Sequence, residues 1–376
     1  MKIGIISLPL NANYGGIMQA FALQTILKGL GHKVEHIEIK HKRLLEPKFP
    51  KSAFIFFKRF LKKTVGKWNY PILLERHINN IEEPICLQYT MAFVNKYINV
   101  RQINSFSEIK EADYDAYIVG SDQIWRPKYF KKISNAYLDF AEKWDVKRYA
   151  YAASLGVDFW EYTPSQTARC QLLIKKFNNI TVREYDAKRL LHDYFGINDA
   201  SVVLDPTLLL APDDYLSVID LSKVSSSRGD IFVYILDEND SKQKIIGHIA
   251  NSLHRKTFKV GSRYSNIKAP LNERIQHPIE QWLKGFFDAS FVITDSYHAC
   301  VFSIIFRKPF VVIGNKKRGM ARFQSLLDLL NLKDRIISSI DEYENIKYPD
   351  CIDDSVYTKL SQMKEYSLNK IRIWTK

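Results

Sequence analysis

Residues 2–39, KIGIISLPLNANYGGIMQAFALQTILKGLGHKVEHIEI, decide the fold class. Lys2 to Ser7 is a short apolar run, and Lys33 to Ile39 is another. Between them Gly15 and Gly16 open a stretch with helical patterning. Strand, helix, strand at this spacing is the unit of a parallel sheet. Further strand-like runs at Ala116 to Val119, Arg148 to Ser154 and Asn179 to Arg183 extend this first series. A second series reads Ser201 to Leu204, Asp230 to Leu236, Thr257 to Val260, Phe291 to Thr294 and Phe310 to Ile313. The expected fold is α/β, with two Rossmann-like doubly wound lobes. The stretches LDPTLLLAPDDY and SKVSSSRGD place the seam near residue 205. The expected division is 1–204 for the N-terminal lobe, 205–340 for the C-terminal lobe, and 341–376 for a helical segment. The amphipathic run Val356 to Ile373 in that segment is expected to pack back on the first lobe.

A chain of 376 residues suits two domains of roughly 150 to 200 residues each. With 46% hydrophobic and 26% charged residues it can bury sizeable cores, which excludes a disordered chain. MKIGIISLPL has one lysine and leads into polar Asn11 and Asn13, so it reads as a strand and not a signal peptide. No run of apolar residues is long enough for a membrane-spanning helix. Cys86, Cys170, Cys300 and Cys351 form no CxxC pair, which fits a reducing compartment and an expected cytoplasmic location.

The net charge of +14 is concentrated in one place. Between Lys40 and Lys67 ten basic residues face Glu46 alone, so nine of the fourteen net charges lie there. Within this basic insert, 40–77, Phe54, Phe57 and Leu61 recur near helical spacing between Lys58, Lys62 and Lys63. Such a segment suits an anionic membrane surface. A solvated helix that packs its phenylalanines on the first lobe is the other reading. No helix-turn-helix, zinc finger or RNA-binding motif accompanies the patch, and no nucleic-acid partner is expected.

In open parallel sheets ligands sit beyond the carboxyl ends of the strands, so the turns after strands hold the candidates. After the first strand, the loop Pro9 to Tyr14 and the glycines Gly15 and Gly16 leave backbone N–H groups for an anion or a hydroxyl-rich ligand. The pattern is not G-x-G-x-x-G, so a dinucleotide site is unsupported. Alternatively, Asn13 is only a cap and the glycines only allow close packing. VGSDQIWRPKYF turns at Gly120 and Ser121 and offers Asp122 to orient or deprotonate a sugar hydroxyl, with Trp125 as a face for a sugar ring. Arg183, in TVREYDAKRLL, presents a fork suited to carboxylate or phosphate, or else a salt bridge to Glu184. TDSYHACVFS places Asp295, Ser296, Tyr297 and His298 at a strand-to-helix turn, where the helix terminus attracts anions and histidine is poised for proton transfer. GNKKRGMARF adds Lys316, Lys317, Arg318 and Arg322, of which Arg322 is the better ligand candidate. No metal-site spacing is present, and Cys300 reads as packing.

The blocks NYGGIMQAFALQ, VGSDQIW, VRE, VVLDPTLLL, TDSYHACVFSIIFRKPFVVI and RGMARFQSLL, in this order, resemble the polysaccharide pyruvyl transferase family. Ala299 follows His298 where the family often has glycine, and the basic insert matches none of its motifs. The resemblance implies a GT-B-like pair of lobes with the active site in the cleft between them. It implies transfer of a pyruvyl group from phosphoenolpyruvate to two hydroxyls of a sugar residue, in a surface polysaccharide or its lipid-linked precursor, as a cyclic ketal. No metal or other cofactor is expected. On this reading His298 and Asp122 are catalytic. Arg183, Ser296, Tyr297, Asn315, Arg318 and Arg322 bind phosphoenolpyruvate. Asn13, Tyr14, Gly15, Gly16, Ser121 and Trp125 face the acceptor. Two rivals stand beside it. One is a nucleotide-sugar glycosyltransferase, for which Glu273 and Glu280 are a loose match to paired glutamates. The other is a non-catalytic glycan-binding protein.

Overall fold

A computed structural model describes residues 1–40, 49–66, 71–130, 132–220, 224–315, 319–346 and 350–375. Seven strands, β1 (Lys2–Ile6), β2 (Lys33–Ile39), β3 (Val100–Ile103), β4 (Ala116–Val119), β5 (Lys147–Ala153), β6 (Asn179–Val182) and β7 (Ser201–Val202), form one sheet in the order 3-2-1-4-5-6-7. Five more, β8 (Ile231–Tyr234), β9 (Thr257–Phe258), β10 (Phe291–Thr294), β11 (Phe310–Ile313) and β12 (Ile336–Ile337), form a second in the order 12-11-10-8-9. The pairings in both sheets are parallel. Helices cover both faces of such sheets, so central strands must be apolar throughout. All four residues of AYIV in β4, FVIT in β10 and FVVI in β11 are indeed buried.

Strand order reverses between β1 and β4 in the first sheet, and between β8 and β10 in the second. These switch points part the flanking loops and open a crevice at the carboxyl ends of the strands. Ser201–Val202, expected to begin the second series, instead joins the first sheet beside β6, with Val182 in register with Val202. Two further strands escaped the sequence pattern, β3 because VRQI mixes polar and apolar residues and β12 because it has two residues.

The two lobes share a core. One hydrophobic cluster includes Ile5 of β1, Ile17 of helix α1 (Tyr14–Gly29), Leu208 of the connector, and Trp282 and Phe302 of the second lobe. Ile371 and Trp374 of the last helix, Asp354–Trp374, belong to it too. That helix lies on the first lobe, where Trp374 stacks on Tyr149 at 5.7 Å and its carbonyl accepts from the Tyr149 hydroxyl at 2.7 Å. The four cysteines are unpaired. Among the described residues no helix is long and apolar enough to cross a membrane.

Candidate active site

The loops after β1, β4, β8 and β10 meet around a cleft of about 1060 Å³. Asn11, Asn13, Tyr14, Asp122 and Gln123 line it from the first lobe; Leu236, Tyr264, Gln276, Ser296, Tyr297, His298 and Arg322 line it from the second. Tyr14 fastens the lobes together at this level. Its hydroxyl donates to the His277 carbonyl at 2.8 Å, and its ring lies 5.4 Å from that of Trp282. Gln276 reaches back to donate to the Ala12 carbonyl at 3.0 Å.

At the end of β10 the helix Tyr297–Ile305 begins, with Ser296 as its N-cap. The Ser296 side chain makes no capping hydrogen bond. The N–H groups of the first turn have no partner within the helix, and they open where Ser296, Tyr297 and His298 line the cleft. His298 is buried, with Nε2 3.7 Å from Asp205 Oδ2. That is an ion-pair separation and too long for a hydrogen bond, so Nε2 has no hydrogen-bond partner. The other side of the ring lies against α1. A Cβ on Gly15 would sit 2.1 Å from His298 Nδ1, so the absence of a side chain there is what lets the two lobes close around the imidazole.

Behind His298 stands a chain of buried charges. Asp205 accepts from Arg183 Nη1 at 2.5 Å, and from the Thr207 N–H and hydroxyl at 3.0 and 2.6 Å. Burial alone would raise its pKa, but His298 and Arg183 outweigh that and hold the carboxyl well below its usual range. Arg183 Nη2 donates to Asp122 Oδ1 at 3.1 Å, and its guanidinium lies over the Tyr297 ring at 4.5 Å. Asp122 is buried and lines the cleft. Its φ of 59° is left-handed, a strained conformation for a residue with a side chain, and such strain gathers at functional sites. The N–H groups of Ile124 and Ser154 fix it there by donating to its carbonyl at 2.8 and 3.0 Å. Burial pushes the Asp122 pKa up, while the charges of Arg183, His298 and Arg322 prevail and hold it low. Arg322 Nη1 is 3.7 Å from Asp122 Oδ1, and its guanidinium is 5.3 Å from the Tyr297 ring. Burial first, and the neighbouring Arg183 next, pull the Arg322 pKa down.

A family model for polysaccharide pyruvyl transferase matches residues 13–317, most of the chain and all the cleft-lining residues named above except Asn11 and Arg322. The chain belongs to the polysaccharide pyruvyl transferase family. In fold, the chain resembles GT-B proteins. Arabidopsis thaliana UGT89C1 complexed with UDP-L-rhamnose aligns over 98% of each chain with a TM-score of 0.50 at 7% identity. Sucrose-phosphate synthase from Thermosynechococcus elongatus aligns over 99% of this chain and 97% of its own, with a TM-score of 0.50 at 10% identity. Identities this low speak for the fold alone. No curated protein sequence matches the chain.

Of the residues expected in the site, the cleft gathers His298, Asp122, Ser296, Tyr297, Arg322, Asn13 and Tyr14. Others lie elsewhere. Arg183 stands behind the wall as a clamp on Asp122 and Asp205, and does not line the cleft as a donor ligand would. Asn315 Nδ2 is engaged by Asp237 at 2.7 Å and Asp295 at 3.0 Å. Ser121 donates through both its N–H and its hydroxyl to Gln19 Oε1 of α1, and the Gly16 carbonyl accepts from Gln19 Nε2, so both serve to pin the first helix. Trp125 offers no face to a sugar. It is fully buried, stacked on Tyr137 at 5.1 Å, and its Nε1 donates to the Ala136 carbonyl, because the chain turns down into the core after Asp122. Arg318, Lys316 and Lys317 lie outside the described residues.

Sequence reasoning missed Asp205, Glu184, Gln123 and Gln276. The first three stood inside quoted blocks, VVLDPTLLL, VRE and VGSDQIW, without being given a role in the site. Glu184 Oε1 accepts from the Ser154 hydroxyl and from the Leu155 and Gly156 N–H groups at 2.8, 2.9 and 3.0 Å, which shapes the loop next to Asp122. Burial raises its pKa. Gly156, at φ 74°, leaves the space that the Gln123 amide fills. Gln276 had no signal, since its part depends on a contact 264 residues distant in the chain.

Proposed function

We propose that the protein transfers a pyruvyl group from phosphoenolpyruvate to two hydroxyls of one sugar residue, in a polysaccharide or its lipid-linked precursor. The product is a cyclic ketal. The observation that carries this reading is the position of His298: at a helix N-terminus, in the cleft between the lobes, beside the ionised Asp205 and near Arg322. Phosphoenolpyruvate bears a carboxylate and a phosphate. The open N–H groups of helix Tyr297–Ile305 and the guanidinium of Arg322 are suited to those two anions. An anion would also offset the burial and the Arg183 charge that bear on Arg322.

In the proposed reaction His298 gives a proton to the methylene carbon of phosphoenolpyruvate, which becomes a methyl group and leaves an oxocarbenium centre at C2. A sugar hydroxyl bonds to C2 and loses its proton. The C2–O bond to phosphate then breaks, inorganic phosphate departs, and the second hydroxyl closes the ring. Two hydroxyl protons are released; one restores His298 and the other leaves with phosphate. Asp122, held ionised among arginines, is a weak base, so positioning the acceptor and Arg322 is its better role. No resident cofactor enters this scheme. The proposed setting is the cytoplasm, where the donor is available to a chain whose cysteines are unpaired.

A nucleotide-sugar glycosyltransferase on the same fold has weaker support. Glu273 borders the cleft but is ion-paired with Arg263 at 2.6 Å, and Glu280 is not among the lining residues. Thermal-shift titration separates the two. Phosphoenolpyruvate should raise Tm in the wild type and lose that effect in Arg322→Met; stabilisation by UDP-sugars with none by phosphoenolpyruvate would reverse the assignment.

A further inference from the structure

We infer that helix α2 (Lys51–Thr64) is an interfacial anchor that seats the protein on an anionic lipid surface. None of its residues is buried. Phe54, Phe57, Phe60 and Leu61 are 69%, 61%, 51% and 48% exposed, and Val65 just beyond the helix is 65% exposed. At 100° per residue these five fall on one side, with Phe54, Phe57, Leu61 and Val65 as its central stripe. The opposite side holds the partly covered Ile55, Phe56 and Arg59, and Arg59 is tied to the Ile72 carbonyl at 3.1 Å. The helix is thus inverted relative to an ordinary surface helix, with its aromatic face outward. The alternative, phenylalanines packed on the first lobe, does not hold for Phe54 and Phe57.

Charge selects the occupant. Lys51, Lys58 and Lys62 follow one edge of the aromatic stripe, Lys63 and Arg59 add to them, and the helix carries no acidic residue. A row of cations beside exposed aromatics complements anionic headgroups over an acyl layer, and repels a second copy of itself. The segment from 71 to 89 borders the cleft. It bears the exposed Leu73, Ile81 and Ile85, and it reaches Tyr89 in the cleft wall. Between these, Glu82 holds Arg274, and Glu83 accepts from the Tyr264 hydroxyl at 2.6 Å, so the segment is bolted to the wall formed by residues 262–277. Docking through α2 would bring the cleft to a lipid-borne glycan, a consequence that rests on the proposed acceptor; the docking itself rests on α2 alone.

Flotation of the full chain with phosphatidylcholine vesicles, with and without phosphatidylglycerol, tests it. The protein should float with the anionic vesicles only. Binding should fall about tenfold or more in Lys58→Glu/Lys62→Glu and in Phe54→Ser/Phe57→Ser/Leu61→Ser, while circular dichroism and Tm stay unchanged. No flotation with either vesicle overturns the inference, as does flotation unaffected by both variants. Concentration-dependent association in the ultracentrifuge, lost in the serine variant and without vesicle binding, would assign the face to self-association and overturn it too. Pyruvyl transfer to a water-soluble acceptor, measured in the wild type and in the same variants, is the separate control: its absence in the wild type bears on the proposed reaction and not on docking.

Discussion

Residue by residue, the centre of the site is a relay in which basic and acidic side chains alternate, His298–Asp205–Arg183–Asp122–Arg322, almost wholly removed from water. Each member fixes the next, so effects should spread beyond the residue changed. Gly15→Ala would put a methyl into the His298 ring. A displacement of about 1 Å at a reacting group costs on the order of 100-fold in turnover. We expect that loss in kcat with little change in KM for phosphoenolpyruvate, and a wild-type kcat would show that His298 is not held by this contact. Asp205→Asn leaves Arg183 short of one of its two carboxylates. Breaking a buried pair in this way costs about 3–5 kcal/mol, to be read from urea unfolding; a loss below 1 kcal/mol would mean the clamp contributes little. His298, Asp122 and Arg322 were legible because each follows a strand in a distinctive block. Arg183 was legible as an arginine with acidic company, but nothing local tells a clamp from a ligand: that depends on Asp205, 22 residues on.

Single elements show where local pattern is overridden by packing. Trp125 followed a strand and looked available, yet residues 123–130 and 132–137 pack beneath β4 and β5 and turn the indole inward. Trp125→Ala should therefore cost about 3–5 kcal/mol of stability while KM for the acceptor stays as in the wild type. A raised acceptor KM at unchanged stability would restore the sugar-stacking role. Strand β2 supplies a pH dependence. His36 is fully buried on it, with Nε2–H donating to the Ala20 carbonyl at 3.2 Å, and burial pushes its pKa down to about 4. Its unfolded pKa is about 6.5, so below that value the unfolded chain binds the extra proton and the folded chain does not. Stability from this group is complete above pH 6.5 and drains away as pH falls toward 4, by up to about 1.4 kcal/mol per pH unit. Denaturant midpoints across that window should fall with acidification in the wild type and fall less steeply in His36→Gln; parallel curves would contradict the assignment.

At the scale of the molecule, two parallel sheets were legible from alternating strands and helices, because strands buried on both faces must be apolar. Their spatial order and the placing of β7 were not, since both depend on contacts remote in sequence. Nor was the shared core, which carries α1, the connector and the Asp354–Trp374 helix into one apolar seam beneath the cleft. The seam holds the switch-point loops of both lobes against each other, so residues from 13 to 322 meet at one place. The central claim is that this place moves a pyruvyl group from phosphoenolpyruvate onto a sugar. It is tested most directly by mass spectrometry of galactosyl, glucosyl and N-acetylmannosaminyl lipids incubated with the full chain and phosphoenolpyruvate. One acceptor should gain the mass of a single pyruvyl ketal, with one phosphate released per ketal and neither product formed by His298→Gln. Transfer of a sugar from a UDP-sugar, with no gain from phosphoenolpyruvate on any acceptor, would contradict the account.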